Sequence, residues 1–446
     1  MKALIETMRG VVRNYIRRLW GSSLARNAWW MLVGQGFNLV FQAGYFILLA
    51  RLLGVTEYGI FVGAFAFVAI ATPYCALGSG LVFVRHVSAT PKDFAVYWGN
   101  ILLSVVGVGS LFTLLLYFLA PHVVNLASAS LVLLLALSEC VCRQLVICIC
   151  QIFQAFEQLR LTVAMILLTS FLRLMAVVTL AVFLHHATAR IWVLSSLLVS
   201  VVAAVAASVI VIARFGAPRL SLKLWLSRIG EGFGFSLSGS SQSAYNDIDK
   251  AMLSHYGMNM ANGIYTMAYR LVDLATIPVH SLDAAALPRF CRQAQDRPAA
   301  VVSLSFKLAT RSALFGIVIA ACLFVAAPLI PHIVGNGFKE SVMALRWLCP
   351  LPVFRSIHQL TGCAITGLGF QRYRTIAQCC AATLNFGLNL WLIPSFGWLG
   401  AAWASLATDG LLGIASWALL QYLHNTHGAR RDSEAFAEDS VAYPRA

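Results

Sequence analysis

The sequence predicts an all-α polytopic membrane protein with about twelve transmembrane helices, in two pseudo-symmetric six-helix bundles around a central cavity. Three observations predict it. Of 446 residues, 60% are hydrophobic and 11% charged, with a mean hydropathy of +0.79; soluble domains carry about 25% charged residues. Apolar runs of about 20 residues, long enough to span a bilayer, recur along the whole chain. Finally, Lys and Arg crowd into every second connection, as the positive-inside rule requires.

Residues 1–26 come first, with Arg9, Arg13 and Arg17 spaced by four and Met8, Val12, Tyr15 and Leu19 on another face. They read as a basic amphipathic helix on an anionic inner leaflet, the alternative being a basic tail that only fixes topology. The segment is too basic for a signal peptide and has no apolar core of that kind. Apolar runs then place spans near 28–50, 57–84, 95–119, 126–150, 161–184, 190–213, 229–254, 260–287, 306–333, 341–366, 372–394 and 398–423.

With the N-terminus in the cytoplasm, the cytoplasmic connections hold Arg85, Arg160, Arg219, Arg289, Arg374 and Arg430 among others. The opposite side keeps Arg51, Arg190, Lys339 and Arg346. Both termini are therefore expected in the cytoplasm. Topology accounts for the net charge of +15, and no nucleic acid is needed to explain it. The eleven cysteines sit mostly within spans, as small apolar fillers. No metal site, disulfide or cofactor is indicated.

The stretch from Ile229 to Arg292 holds two spans with polar stripes. Ser236, Ser240, Ser243, Asp247, Lys250 and Ser254 share one face of the first; Asn262, Thr266, Arg270, Asp273 and His280 nearly share one on the second. A charge within a spanning helix costs about 2.5–3.5 kcal/mol on insertion scales, so both stripes should face protein or a wet cavity. Such a cavity is what a transporter needs. The first span also carries Gln35, Asn38, Gln42 and Tyr45 along one face.

A weak internal repeat runs through the chain. Leu53-Gly-Val-Thr-Glu-Tyr-Gly-Ile-Phe after the first span parallels Tyr256-Gly-Met-Asn-Met-Ala-Asn-Gly-Ile-Tyr after the seventh, a period of about 203 residues. Half the chain is thus one bundle: 27–213 and 229–424, joined by a cytoplasmic linker at 214–228, with residues 425–446 polar and expected to be disordered. Pro350 and Pro352 should kink or break the tenth span.

No G-x-x-x-x-G-K-[ST] loop occurs, so energy should come from a gradient or a partner rather than from bound ATP. No long extracytoplasmic loop is available for catalysis, and no catalytic constellation is visible.

Taken together, Leu53-Gly…Glu57-Tyr-Gly, Asp249-Lys-Ala-Met-Leu…Gly263-Ile-Tyr, Ala286-Leu-Pro-Arg and Asn389-Leu-Trp-Leu-Ile-Pro…Gly397-Trp-Leu-Gly-Ala-Ala resemble the bacterial polysaccharide (O-antigen) flippases of the Wzx type. These belong to the multidrug/oligosaccharidyl-lipid/polysaccharide exporter superfamily. The resemblance runs from about Asn27 to His424. It implies a multi-pass protein of the bacterial cytoplasmic membrane that rocks between inward- and outward-open states. The implied cargo is an undecaprenyl-pyrophosphate-linked oligosaccharide repeat unit for O-antigen, capsule or exopolysaccharide. Membrane lipids, a polysaccharide polymerase and a chain-length regulator are the implied partners.

Such a cargo needs amides, hydroxyls and aromatics for its sugars, and Arg or Lys for its pyrophosphate. Arg143, Arg173, Lys250, Arg270 and Arg355 are the embedded cations and the candidate substrate-binding residues. Glu139, Asp247, Asp249, Asp273, Asp283 and Asp409 nearly cancel them, and Asp247, Asp249, Asp273 and Asp409 are candidates for coupling or ion pairing. Glu139–Arg143 (i,i+4), Asp247–Lys250 and Arg270–Asp273 (both i,i+3) can neutralise locally. Arg173 and Arg355 have no local partner and need a distant anion, such as the substrate's phosphates. Asp409 sits among Ser405, Thr408 and Gly410, where it could carry a proton or hydrogen-bond to a neighbouring helix.

The leading reading is a lipid-linked oligosaccharide flippase. A cation-coupled small-molecule exporter of the same architecture is the alternative, separated by cargo. A membrane glycosyltransferase, polymerase or ligase would need a catalytic acid on a long outer loop.

Overall fold

The computed structural model describes residues 23–184, 186–296 and 298–442, and these are almost wholly helical. Of the expected amphipathic segment at 1–26, residues 1–22 lie outside the described residues. In order the helices are α1 (Ser23–Cys75), α2 (Ser79–Val87), α3 (Pro91–Val123), α4 (Leu126–Ala155), α5 (Leu159–Phe183), α6 (Ala189–Phe215) and α7 (Leu222–His255). They continue with α8 (Asn259–Asp296), α9 (Pro298–Ala326), α10 (Ile330–Val334), α11 (Ser341–Leu348), α12 (Leu351–Gly367), α13 (Gln371–Phe396) and α14 (Trp398–Ala442).

Among the described residues, eight helical stretches are long and apolar enough to cross a membrane. The first of them, Val33–Val87, holds two expected spans, because α1 turns at Gly54, whose φ of 71° is open to glycine but strained for other residues. Three expected spans are not among the eight, for physical reasons. Helices α7 and α8 carry the polar stripes and fall short on composition. The run at 341–366 is divided between α11 and α12 at Pro350, the break foreseen from its prolines. The protein is thus a multi-pass, all-helical membrane protein.

Helix α14 extends as far as Ala442, in a segment rich in Ala, Arg and Glu, all strong helix formers.

The chain forms two compact units. Unit 1 takes the described residues up to Leu52 together with Ala71–Leu119 and Leu131–Leu237; unit 2 takes Leu53–Ile70, Ala120–Ser130 and the residues from Ser238 onward. Within unit 1, α6 shows how the helices pack. Ser196, Ser200, Ala203, Ala204 and Ala207 are buried, while Leu198, Val202, Val205 and Val209 are exposed. Lipid is as apolar as leucine, so burying leucine gains nothing. Close approach of small residues supplies the contact instead. The segment following α6 lies along α3: Arg219 donates its backbone N–H to the Ala95 carbonyl (2.7 Å), and Trp225 Nε1 donates to Ser104 Oγ (2.8 Å).

In unit 2 the two turns of the sequence repeat pack on each other. A Cβ added to Gly59 would fall 1.8 Å from the Asn259 carbonyl oxygen, and one on Gly263 2.1 Å from that of Val55. Asn262 Nδ2 donates to the Gly59 carbonyl (3.1 Å) and to the Lys250 carbonyl (3.0 Å). Asn125 Nδ2 donates to the Ser254 carbonyl (2.8 Å) and to Asn259 Oδ1 (2.6 Å), while Ser254 Oγ donates to Ser128 Oγ (2.9 Å). Stripe residues Ser240, Ser254 and Asn262 therefore meet protein acceptors, Ser240 donating to the Ile70 carbonyl (2.8 Å). A polar group removed from water needs such a partner.

Candidate functional site

Two charged clusters stand out, one in each unit. In unit 2, helix α7 brings Asp247, Asp249 and Lys250, α8 brings Tyr265, Tyr269, Arg270 and Asp273, α12 brings Arg355 and His358, and α14 brings Ser405 and Asp409. Lys250 is 2% exposed at its side chain; its Nζ lies 2.9 Å from Asp247 Oδ1 and 3.7 Å from Asp249 Oδ1, and donates to the Asn246 carbonyl. Asp249 accepts the Lys250 backbone N–H (2.7 Å) and the hydroxyls of Tyr265 (2.5 Å) and Ser405 (3.3 Å). A buried charge is tolerable only when paired and hydrogen-bonded in this way.

Arg355 holds the other end of the cluster. Its Nη1 meets Asp273 Oδ1 at 2.8 Å, its Nε lies 3.5 Å from Asp409 Oδ2, and its Nη2 donates to the Tyr269 hydroxyl. Both Lys250 Nζ (4.1 Å) and the Arg355 guanidinium (4.9 Å) sit against the Tyr269 ring, so one aromatic ring serves two cations. Arg270 Nη1 lies 3.9 Å from Asp273 Oδ2, and His358 Nε2 lies 3.3 Å from Asp409 Oδ1. Seven of the nine candidate residues thus meet here: Asp247, Asp249, Lys250, Arg270, Asp273, Arg355 and Asp409. Four carboxylates face three permanent cations, with His358 beside Asp409.

The remaining two, Arg143 and Arg173, meet in unit 1. Glu139 and Arg143 lie on a π-helical stretch of α4, Leu137–Arg143, and such stretches are frequent at functional sites. Glu139 Oε2 accepts Arg143 Nη1 (2.5 Å), and Oε1 accepts Arg173 Nη2 from α5 (3.0 Å). The acid is 5% exposed at its side chain, Arg173 17% and Arg143 41%. Two arginines thus converge on one carboxylate.

Arg173 and Arg355, singled out for lacking a sequence neighbour of opposite charge, each reach an acid on another helix. Asp409 likewise finds Arg355 and His358 across the helix interface. Tyr265, Tyr269, His358 and Ser405 were missed as site residues because none carries a permanent charge. One signal was available: Tyr265, Tyr269 and Asp273 follow one another at i, i+4 and i+8, placing them on a single helix face.

A profile of polysaccharide biosynthesis proteins matches residues 24–294, more than half of the chain. The chain belongs to the polysaccharide biosynthesis protein family. The part matched to this family includes Glu139, Arg143, Arg173 and the α7–α8 residues of the second cluster, and ends before Arg355 and Asp409. No curated protein matches the chain.

Solved structures share the family member's fold. An inward-facing multidrug resistance MATE family transporter of the MOP superfamily aligns with a TM-score of 0.73 at 14% identity, over 87% of this chain and 95% of that one. The lipid II flippase MurJ, in an inward closed conformation, aligns at 0.70 and 14% identity, over 87% and 86%. An outward-facing MATE transporter aligns at 0.58 and 15% identity, over 92% and 98%. These likenesses give the chain the fold of that superfamily and agree with the resemblance read from its motifs.

Proposed function

We propose that this protein is a flippase of the bacterial cytoplasmic membrane. It moves undecaprenyl-pyrophosphate-linked oligosaccharide repeat units from the cytoplasmic to the periplasmic leaflet for surface polysaccharide assembly. Both termini are cytoplasmic, and the bundles 27–213 and 229–424 alternate access to the cargo.

One observation carries this reading: Arg143 and Arg173, from two helices, converge on the single carboxylate of Glu139. A pyrophosphate is anionic, and arginine's planar fork suits it. The half-exposed Arg143 is placed to exchange part of its bond to Glu139 for a phosphate oxygen. Lys250, Arg270 and Arg355 are already paired with carboxylates in unit 2. That network suits coupling instead: protonation or cation binding at Asp409 or Asp249 would re-partition Arg355 and Lys250 among the remaining acids.

The carboxylate-rich network also supports a second reading, a cation-coupled exporter of small cationic molecules. Reconstituted liposomes separate the two. Undecaprenyl-pyrophosphate-linked oligosaccharide, labelled in its sugars, should pass between leaflets only when the protein is present. Export of an amphiphilic cation with the lipid left in place would overturn the flippase reading.

A further inference from the structure

Beside the arginine cluster runs a row of uncharged polar groups to which no role has yet been given. Helices α1 and α5 pack in parallel: Gly34 lies against Val163, Phe41 against Phe171 (ring centroids 5.8 Å apart) and Gly44 against Leu174. Two expected odd-numbered spans must run this way. Between them, Ser170 Oγ donates to Asn38 Oδ1 at 2.6 Å, and Gln42 Nε2 reaches the same oxygen at 3.5 Å. Ser170 stands three residues before Arg173, on the same face of α5.

Two facts give this row a destination. First, Phe37 and Val40, on the opposite side of α1, are 55% and 65% exposed, whereas Asn38 and Gln42 are half-buried on the side that packs against α5. Second, the hydrogen bonds among the described residues use only Asn38 Oδ1 and the Gln42 amide nitrogen. The Asn38 amide N–H₂ and the Gln42 carbonyl are left as one donor group and one acceptor, both on half-buried side chains. Polar groups at membrane depth without protein partners point to a polar ligand or water.

We infer that Asn38, Gln42 and Ser170 form a sugar-reading strip for the hexose or N-acetylhexosamine joined directly to the pyrophosphate. The inference rests on the proposed function, in which Arg143 and Arg173 take the phosphates. A sugar linked to those phosphates starts within one helical turn of Arg173, where Ser170 lies. Amides and a hydroxyl match its hydroxyls as donors and acceptors without adding charge. The strip thereby sets which first sugar the protein accepts.

Binding of two lipids to the purified full-length protein tests this: undecaprenyl pyrophosphate, and the same lipid bearing one N-acetylhexosamine. Asn38→Leu should weaken the sugar-bearing lipid about tenfold and leave the bare lipid unchanged. Gln42→Met, which keeps the volume of a half-buried side chain, should act in the same direction and serves if Asn38→Leu does not fold. Arg173→Gln should weaken both lipids alike. Equal loss for both lipids in the amide variants, or no loss in either, overturns the sugar strip. Wild-type binding of both lipids by Arg173→Gln overturns instead the phosphate reading on which it rests.

Discussion

Asn262 donates its side-chain amide to the Gly59 carbonyl at 3.1 Å, and the two residues stand 203 positions apart. In the repeat Gly59 matches Gly263, so this bond ties the two copies of the repeated turn one residue away from strict equivalence. Asn262 is fully buried and holds the Lys250 carbonyl as well (3.0 Å). Asn262→Leu removes a side-chain bond from each of two helical carbonyls and should destabilise the protein by about 0.5–1.5 kcal/mol for each. Thermal unfolding of the purified variant measures the loss, and a melting point unchanged from wild type would show the bonds to be dispensable.

Glu139 holds two arginines at 2.5 and 3.0 Å. Glu139→Ala leaves them facing each other within the membrane. The expected destabilisation is about 3–5 kcal/mol, as for other broken buried pairs. Adding Arg173→Met should recover much of it, since one cation is then removed with the acid. Unfolding midpoints of the single and double variants make the comparison, and a double variant no more stable than the single contradicts the pairing.

Tyr269 should matter through its ring and its hydroxyl separately. Tyr269→Phe keeps the ring against Lys250 and Arg355 and loses only the bond to Arg355, costing about 1–3 kcal/mol. Tyr269→Leu also removes both cation–ring contacts and should cost about 1–2 kcal/mol more. The ordering of the two unfolding midpoints is the check.

Much of this was legible in the sequence, and the exceptions share one cause. Spans 28–50 to 190–213 show as apolar runs because lipid demands them. The polar stripes on α7 and α8 were visible because helical periodicity puts Asp247, Lys250 and Ser254 on one face. Local pairs such as Asp247–Lys250 follow from spacing alone, and the structure holds that pair at 2.9 Å. What spacing cannot give is an approach between distant helices. Arg173–Glu139 and Arg355–Asp409 each join residues far apart in the chain, through packing that no local pattern encodes. Tyr269 escaped for a related reason, since an aromatic residue in a membrane helix reads as filler until two cations are found against it.

If the unit 2 network couples transport to a gradient, Asp409→Asn should uncouple it with little change of shape. The variant is expected to accumulate and bind substrate as wild type does, yet lose acceleration by an imposed ion gradient. Initial transport rates in liposomes, with and without the gradient, decide this. A variant that still responds to the gradient would assign Asp409 to structure alone.

The most direct test of the flippase assignment is an extraction of undecaprenyl-linked sugars from cells lacking this protein and from cells carrying Arg173→Ala. Lipid-linked repeat units should accumulate on the cytoplasmic side in both, with the variant present at normal levels. A normal lipid-linked pool with surface polysaccharide intact in the deletion strain would contradict the assignment.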